Sequence, residues 1–115
     1  GHLLEMCKGS NVSVTLEFNE IPLIQGVYEL AQKGFIPGGT KRNLDHVSSQ
    51  VDFSKNISPE QQFILADAQT SGGLLISVAN ENAEELQDIL NINNCLNSSL
   101  IGKVYNPAES TIYIN

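Results

Sequence analysis

The chain has 115 residues, with 6 Lys and Arg against 13 Asp and Glu and a formal net charge of −7. Its length suits one domain with one modest core. With 41% hydrophobic and 17% charged residues it lies far from the composition of disordered chains, and no apolar stretch is long enough for a membrane-spanning helix. The negative balance excludes a nucleic-acid or anionic-membrane binder, since phosphate backbones are held by clustered Lys and Arg. The basic residues are Lys8, Lys33, Lys41, Arg42, Lys55 and Lys103, and only Lys41 and Arg42 are adjacent. Cys7 and Cys95 are far apart, outside any CxxC pair and without a signal peptide before them. Buried free thiols in a reducing cytoplasm are the reading this supports.

Leu3 to Lys8 read as the last turns of a helix that Gly9 ends in the left-handed conformation. From Val12 to Phe18 apolar and polar residues alternate, with Val12, Val14, Leu16 and Phe18 on one face, which predicts a strand covered on one side. Ile24, Val27, Tyr28 and Ala31 recur at amphipathic-helix spacing, and Gly34 ends that helix. The stretch Phe35 to Leu44 holds Pro37, Gly38 and Gly39 and is predicted as an irregular loop. Ser58-Pro59-Glu60-Gln61 starts a helix through a capping box with Pro at its first position, and Phe63, Ile64 and Leu65 supply its buried side.

Leu74 to Ala79 form a nearly continuous apolar run, which predicts a central strand buried on both faces. Asn82 and Glu85 are read as a capping pair for a helix burying Ala83, Leu86, Ile89 and Leu90, with Glu81 to Asp88 forming its solvated face. Lys103 to Tyr105 and Thr111 to Ile114, joined by a turn with Asn106-Pro107, are predicted as a closing hairpin. The expected architecture is α+β: a single domain over residues 1–115, with helices packed on one side of a mainly antiparallel or mixed sheet.

Two glycine-rich stretches carry the candidate chemistry. Backbone amides at Gly38-Gly39-Thr40 can approach an anion closely, and Lys41 and Arg42 could add charge. A plain turn is the simpler alternative, because neither a Walker A order nor a dinucleotide fingerprint is present. Asp67-Ala68-Gln69-Thr70-Ser71-Gly72-Gly73 sets a carboxylate, an amide, two hydroxyls and two glycines before an apolar run. Such groups either face a cleft or bond local amides as a helix C-cap and polar turn. A lone carboxylate is poor material for acid–base catalysis or a metal centre. His2 and His46 have no companions at zinc-ligand spacing and are read as surface or packed residues, and neither cysteine has an activating neighbour.

Taken in order, Gly1-His2-Leu3-Leu4-Glu5-Met6, Pro37-Gly38-Gly39-Thr40-Lys41-Arg42-Asn43 and Asp67-Ala68-Gln69-Thr70-Ser71-Gly72-Gly73-Leu74-Leu75-Ile76 resemble selenophosphate synthetase (selenide, water dikinase). The resemblance covers the chain from end to end. It corresponds to the carboxy-terminal domain of that enzyme, within the aminoimidazole ribonucleotide synthetase-like superfamily. It implies that Gly1-His2 are native and that the chain is a piece of a longer protein, whose amino-terminal ATP-binding and catalytic domain is absent here. It further implies a cytoplasmic enzyme that forms selenophosphate from selenide and ATP, releases AMP and phosphate, uses Mg2+, and is a homodimer when full length.

The reactive Cys or selenocysteine, its Lys and the principal metal-binding aspartates belong in the family to the missing part. No catalytic residue and no metal ligand is therefore expected in this chain, which alone should be inactive and bind nucleotide weakly or not at all. What the resemblance carries over is one wall of the ATP and phosphate cleft: Gly38, Gly39, Thr40 and Asn43, flanked by Lys41 and Arg42, and then Asp67, Gln69, Thr70, Ser71, Gly72 and Gly73. Ala68 stands where the family has Pro. Related superfamily members, of the thiamine monophosphate kinase or hydrogenase maturation type, and a stand-alone binding module are the alternatives.

Overall fold

The structure is a computed structural model that describes residues 1–69, 72–95 and 97–115. Helix α1 spans His2–Ser10, and its left-handed cap is Asn11, at φ 51°, rather than the expected Gly9. Gly9 lies inside the last turn; the short polar side chain of Asn is the commonest alternative to Gly in that conformation. Strand β1 covers Ser13–Leu16, shorter than the alternation predicted, because the chain coils into a 3-10 turn at Phe18–Glu20. Phe18 stays buried all the same.

Helix α2 runs Val27–Gln32, so Ile24, expected on its buried face, precedes it and is 81% exposed. Gly34 follows with φ 81°, as a helix terminator should. The predicted loop is instead helix α3, Gly38–Val47, with Pro37 as its N-cap. Proline and glycine forbid a helix interior, but this chain places them where the first turn's amides have no intrahelical acceptor, so little is lost. Thr40, Asn43, Leu44 and Val47, at helical spacing, form the covered side of α3.

Strand β2, Val51–Phe53, has no counterpart among the expected elements. Helix α4, Pro59–Leu65, starts as predicted: the Ser58 hydroxyl accepts from the Gln61 amide and Gln61 Oε1 accepts from the Ser58 amide at 2.7 Å. Ser58 Oγ in turn donates to Glu60 at 2.7 Å, which holds the Glu60 carboxyl below its ordinary range. Helix α5, Ala83–Ile92, forms where expected, but Asn82 makes no side-chain cap bond and Ile89 is exposed. The last strands are β3, Gly102–Tyr105, and β4, Ile112–Ile114.

The four strands form one mixed sheet in the order β2-β4-β1-β3. β1 pairs antiparallel with β3 and parallel with β4, and β4 pairs parallel with β2. β3 and β4 are thus not the expected hairpin; β1 lies between them. The register aligns Val51, Ile112, Val14 and Val104 in one row across the sheet, and Phe53, Ile114, Leu16 and Gly102 in the next. Both rows face the same side, because side chains of one strand alternate. Over that face lie α1, through Leu3 and Cys7; α3, through Leu44 and Val47; α4, through Leu65; and α5, through Leu86 and Leu90. The opposite face carries Thr15, Tyr105 and Tyr113, with Thr15 Oγ1 and Tyr105 OH sharing a 3.1 Å hydrogen bond.

Leu74 to Ala79 differ most from expectation. They form no strand, and Leu74 is 90% exposed. The two inner places of the sheet are held by β4 and β1, each paired on both sides, so the central position predicted for this run is filled by other strands. The segment instead borders, with α1, β1 and α5, an apolar cavity of about 420 Å3.

Candidate functional site

The two glycine-rich stretches meet at the start of α3. Thr40, in the first turn, is only 1% exposed and donates its hydroxyl to Asp67 Oδ1 at 2.8 Å. One turn later Asn43 Nδ2 donates to the Ala66 carbonyl at 3.1 Å, closing the end of α4 against the side of α3. Between these bonds the backbones come close: a Cβ added at Gly39 would lie 3.2 Å from the Ala68 Cβ. That approach, not a left-handed backbone, is what glycine permits at this position.

Thr40 and Asn43 are therefore engaged with the 66–67 backbone and side chain, while the exposed groups of the site among the described residues are Gly38, Lys41, Arg42, Asp67, Gln69, Gly72 and Gly73. The amides of Gly38 and Gly39 have no hydrogen-bond acceptor among the described residues. Arg42 folds back over them: an added Cβ would lie 3.6 Å from Nη1 at Gly38 and 3.9 Å from Nη2 at Gly39. A guanidinium over a helix N-terminus adds positive charge where the helix dipole is already positive. Lys41 is exposed beside it. Gln69 turns back on its own loop, its amide donating to the Asp67 carbonyl at 3.0 Å and its Oε1 lying where a Gly72 Cβ would stand. Thr70 and Ser71, also expected at the site, lie outside the described residues.

Among the described residues no group of three or more His, Cys, Asp or Glu is placed to hold a metal ion. Asp67 is the one carboxylate at the site, and one of its oxygens already accepts from Thr40. A hard dication such as Mg2+ takes a near-octahedral set of oxygens, so these residues do not build a magnesium centre by themselves. No helix among the described residues is long and apolar enough to cross a membrane. His2 and His46 are both exposed.

The thiols divide, in place of the two buried cysteines expected: Cys7 is 3% exposed, whereas Cys95 is exposed. Burial pushes the Cys7 thiol above its ordinary value of 9.0. The folded state therefore keeps the Cys7 proton longer than the unfolded chain, and the stability this represents is lost as pH rises from about 9.0 through the raised value. With a thiol reagent at pH 8, we expect one equivalent per chain to react rapidly, at Cys95, and the second only after denaturant is added.

The chain matches the family described as AIR synthase related protein, C-terminal domain, over residues 1–115, and it belongs to that family. Within it, the chain is similar to proteins named selenide, water dikinase. Identity is 45% over 114 residues to that of Clostridioides difficile strain 630, covering 99% of this chain. It is 35% over 115 residues to that of Aliarcobacter butzleri, and 42% over 114 residues to that of Caldanaerobacter subterraneus subsp. tengcongensis. The chain spans 33% of the length of each of these relatives.

Proposed function

We propose that the longer protein carrying this chain is an ATP-dependent selenide, water dikinase, which forms selenophosphate from selenide and ATP with release of AMP and phosphate. On this reading the chain is its carboxy-terminal domain, an amino-terminal domain supplies the nucleophile and the magnesium ligands, and the full-length enzyme works in the cytoplasm as a homodimer. The observation that carries the reading is the union of two motifs 27 residues apart by the Thr40 to Asp67 bond, in a chain with dikinase relatives along its whole length.

The role of this chain is to hold anionic oxygens along one wall of a shared cleft. The Gly38 and Gly39 amides, at the positive end of α3, point outward from the helix start, and Arg42 strengthens the local potential without a nest of lysines. Gly72 and Gly73 offer backbone amides and Gln69 its side chain from the facing stretch, with Lys41 at the rim; Thr70 and Ser71, which belong to the same motif, lie outside the described residues. Such fixed donors stabilise charge that grows on transferring phosphoryl oxygens, and they cost no reorganisation during the reaction. A net charge of −7 is compatible with this, because a small phosphate compound needs local donors rather than a basic face.

The test is to incubate the full-length protein with MgATP and selenide and follow phosphorus species by NMR. Selenophosphate, AMP and orthophosphate in equal amounts, all dependent on selenide, are expected, and the 115-residue chain alone should give none. Phosphorylation of thiamine monophosphate instead, or ATP turnover indifferent to selenide, would overturn the reading.

A further inference from the structure

We propose that Thr40 is a positioning residue that acts through Asp67, and that the pair, with Asn43 and Gly39, forms a clasp setting the orientation of the Asp67 carboxylate at the phosphate wall; this rests on the dikinase reading above. Thr40 is 1% exposed, so its hydroxyl cannot itself meet a ligand that comes from solvent. Its proton goes to Asp67 Oδ1 at 2.8 Å, while Asp67 Oδ2 has no protein partner among the described residues. The bond thus fixes one oxygen of an exposed carboxylate and leaves the other without a partner among the described residues.

Three contacts make the orientation stiff. Asn43 pins the Ala66 carbonyl at 3.1 Å on one side of Asp67, and the Gln69 amide donates to the Asp67 carbonyl at 3.0 Å on the other. Gly39 lets Ala68 settle against α3, where a methyl at that position would stand 3.2 Å from the Ala68 Cβ. A carboxylate held at both flanks of its backbone and at one oxygen has little freedom left at χ1 and χ2. Asp67 also sits at the N-terminal turn of α3, where negative charge is favoured, so dipole and hydrogen bond select the same placement.

A carboxylate beside anionic phosphoryl oxygens repels them unless its placement is fixed, and a misplacement of as little as about 1 Å at a reacting centre lowers rate steeply. In the full-length enzyme, Thr40→Val should lower kcat about tenfold or more and change the KM for ATP less than about twofold, because the hidden hydroxyl contributes nothing to binding directly. Thr40→Ser keeps the donor and should restore kcat to near the parent value.

A cycle with Asp67→Ala separates positioning from folding. If Thr40 acts through Asp67, Thr40→Val has no further effect on kcat once Asp67 is Ala; a merely structural role gives additive losses. Amide hydrogen exchange of residues 66–69 in the same full-length variants gives a readout independent of turnover: faster exchange in Thr40→Val and parental exchange in Thr40→Ser are expected. Parental kcat in Thr40→Val, or additive losses in the double variant, or unchanged exchange at 66–69, would overturn the clasp while leaving the dikinase reading intact. A parent enzyme that forms no selenophosphate would remove that reading, and the positioning role with it.

Discussion

Gly102→Ala should destabilise the fold by about 3 kcal/mol, lowering the thermal midpoint by roughly 10 °C or more. Gly102 faces Leu16 at the end of the β1 and β3 ladder. A Cβ added there would fall on the Thr15 carbonyl oxygen, with Leu16 Cδ2 at 2.9 Å and Leu16 Cα at 3.1 Å. Two of these three obstacles are backbone, which cannot swing aside as a side-chain end can. Relief therefore requires β3 to move off β1, which forfeits ladder hydrogen bonds and lifts Val104 from Val14. The backbone at Gly102 is not left-handed, so the effect is steric alone. Gly9 is the natural control, because it sits inside α1 with open space around its missing Cβ. Gly9→Ala should raise stability by up to about 1 kcal/mol through helix propensity. Denaturant melts of the two variants beside the parent decide the matter; a Gly102→Ala loss below about 0.5 kcal/mol would mean the strands yield more readily than their register implies.

The parts of the fold legible in the sequence are those set by local physics. Val14 and Leu16, on the face the helices cover, alternate with Ser13 and Thr15, although Ser13 on the other face is buried as well, at 2% exposure, where its hydroxyl bonds Ser110 and Ala108. Ser58, Pro59 and Gln61 start α4 through bonds spanning three residues. What was not legible depends on partners distant in sequence. β3 and β4 look like neighbours across a short turn, yet β1, almost a hundred positions from them, separates the two. β2 is too brief for alternation to be recognised, and only its pairing with β4 defines it. Leu74 to Ala79 carry the composition of a buried strand, but composition cannot reserve a place in a ladder.

The site divides along the same line. The glycine pairs, Thr40, Asn43 and Asp67 were identifiable as a set through a family resemblance, while spacing alone left plain turns as the simpler reading. Nothing in the sequence indicated that Gly38 and Gly39 begin a helix, because the turn chemistry of Pro37-Gly38-Gly39 is also that of a helix entrance. Nor could it divide the residues by task. Thr40 and Asn43 turn inward to hold the neighbouring stretch, and Arg42, rather than Lys41, lies over the first turn. These roles follow from which face of α3 packs on the end of α4, a tertiary fact.

Leu4→Ala tests the other side of this architecture, the seam where α1 closes on the sheet, and should cost about 3 kcal/mol. Leu4 is 1% exposed and belongs to the continuous apolar cluster with Cys7, Val14, Leu16, Phe18, Val47, Ile57, Ile112 and Ile114. Truncation removes the transfer free energy of the lost carbons and leaves a void. The lining cannot refill it cheaply, because Val14, Leu16, Ile112 and Ile114 are fixed by the ladder. Leu74 is the fitting comparison: the same residue type in a stretch of high hydropathy, yet 90% exposed. Leu74→Ala should change stability by less than about 0.5 kcal/mol, as surface substitutions do. Equal losses at the two positions would place residues 74–79 in the core after all; a difference of about 2 kcal/mol or more between them is what the burial at α1 requires. Since α1 borders the same covered face as α3 and α4, the Leu4 loss should also speed global amide exchange at 66–69, whereas Thr40→Val speeds it locally without lowering the melting midpoint to the same degree.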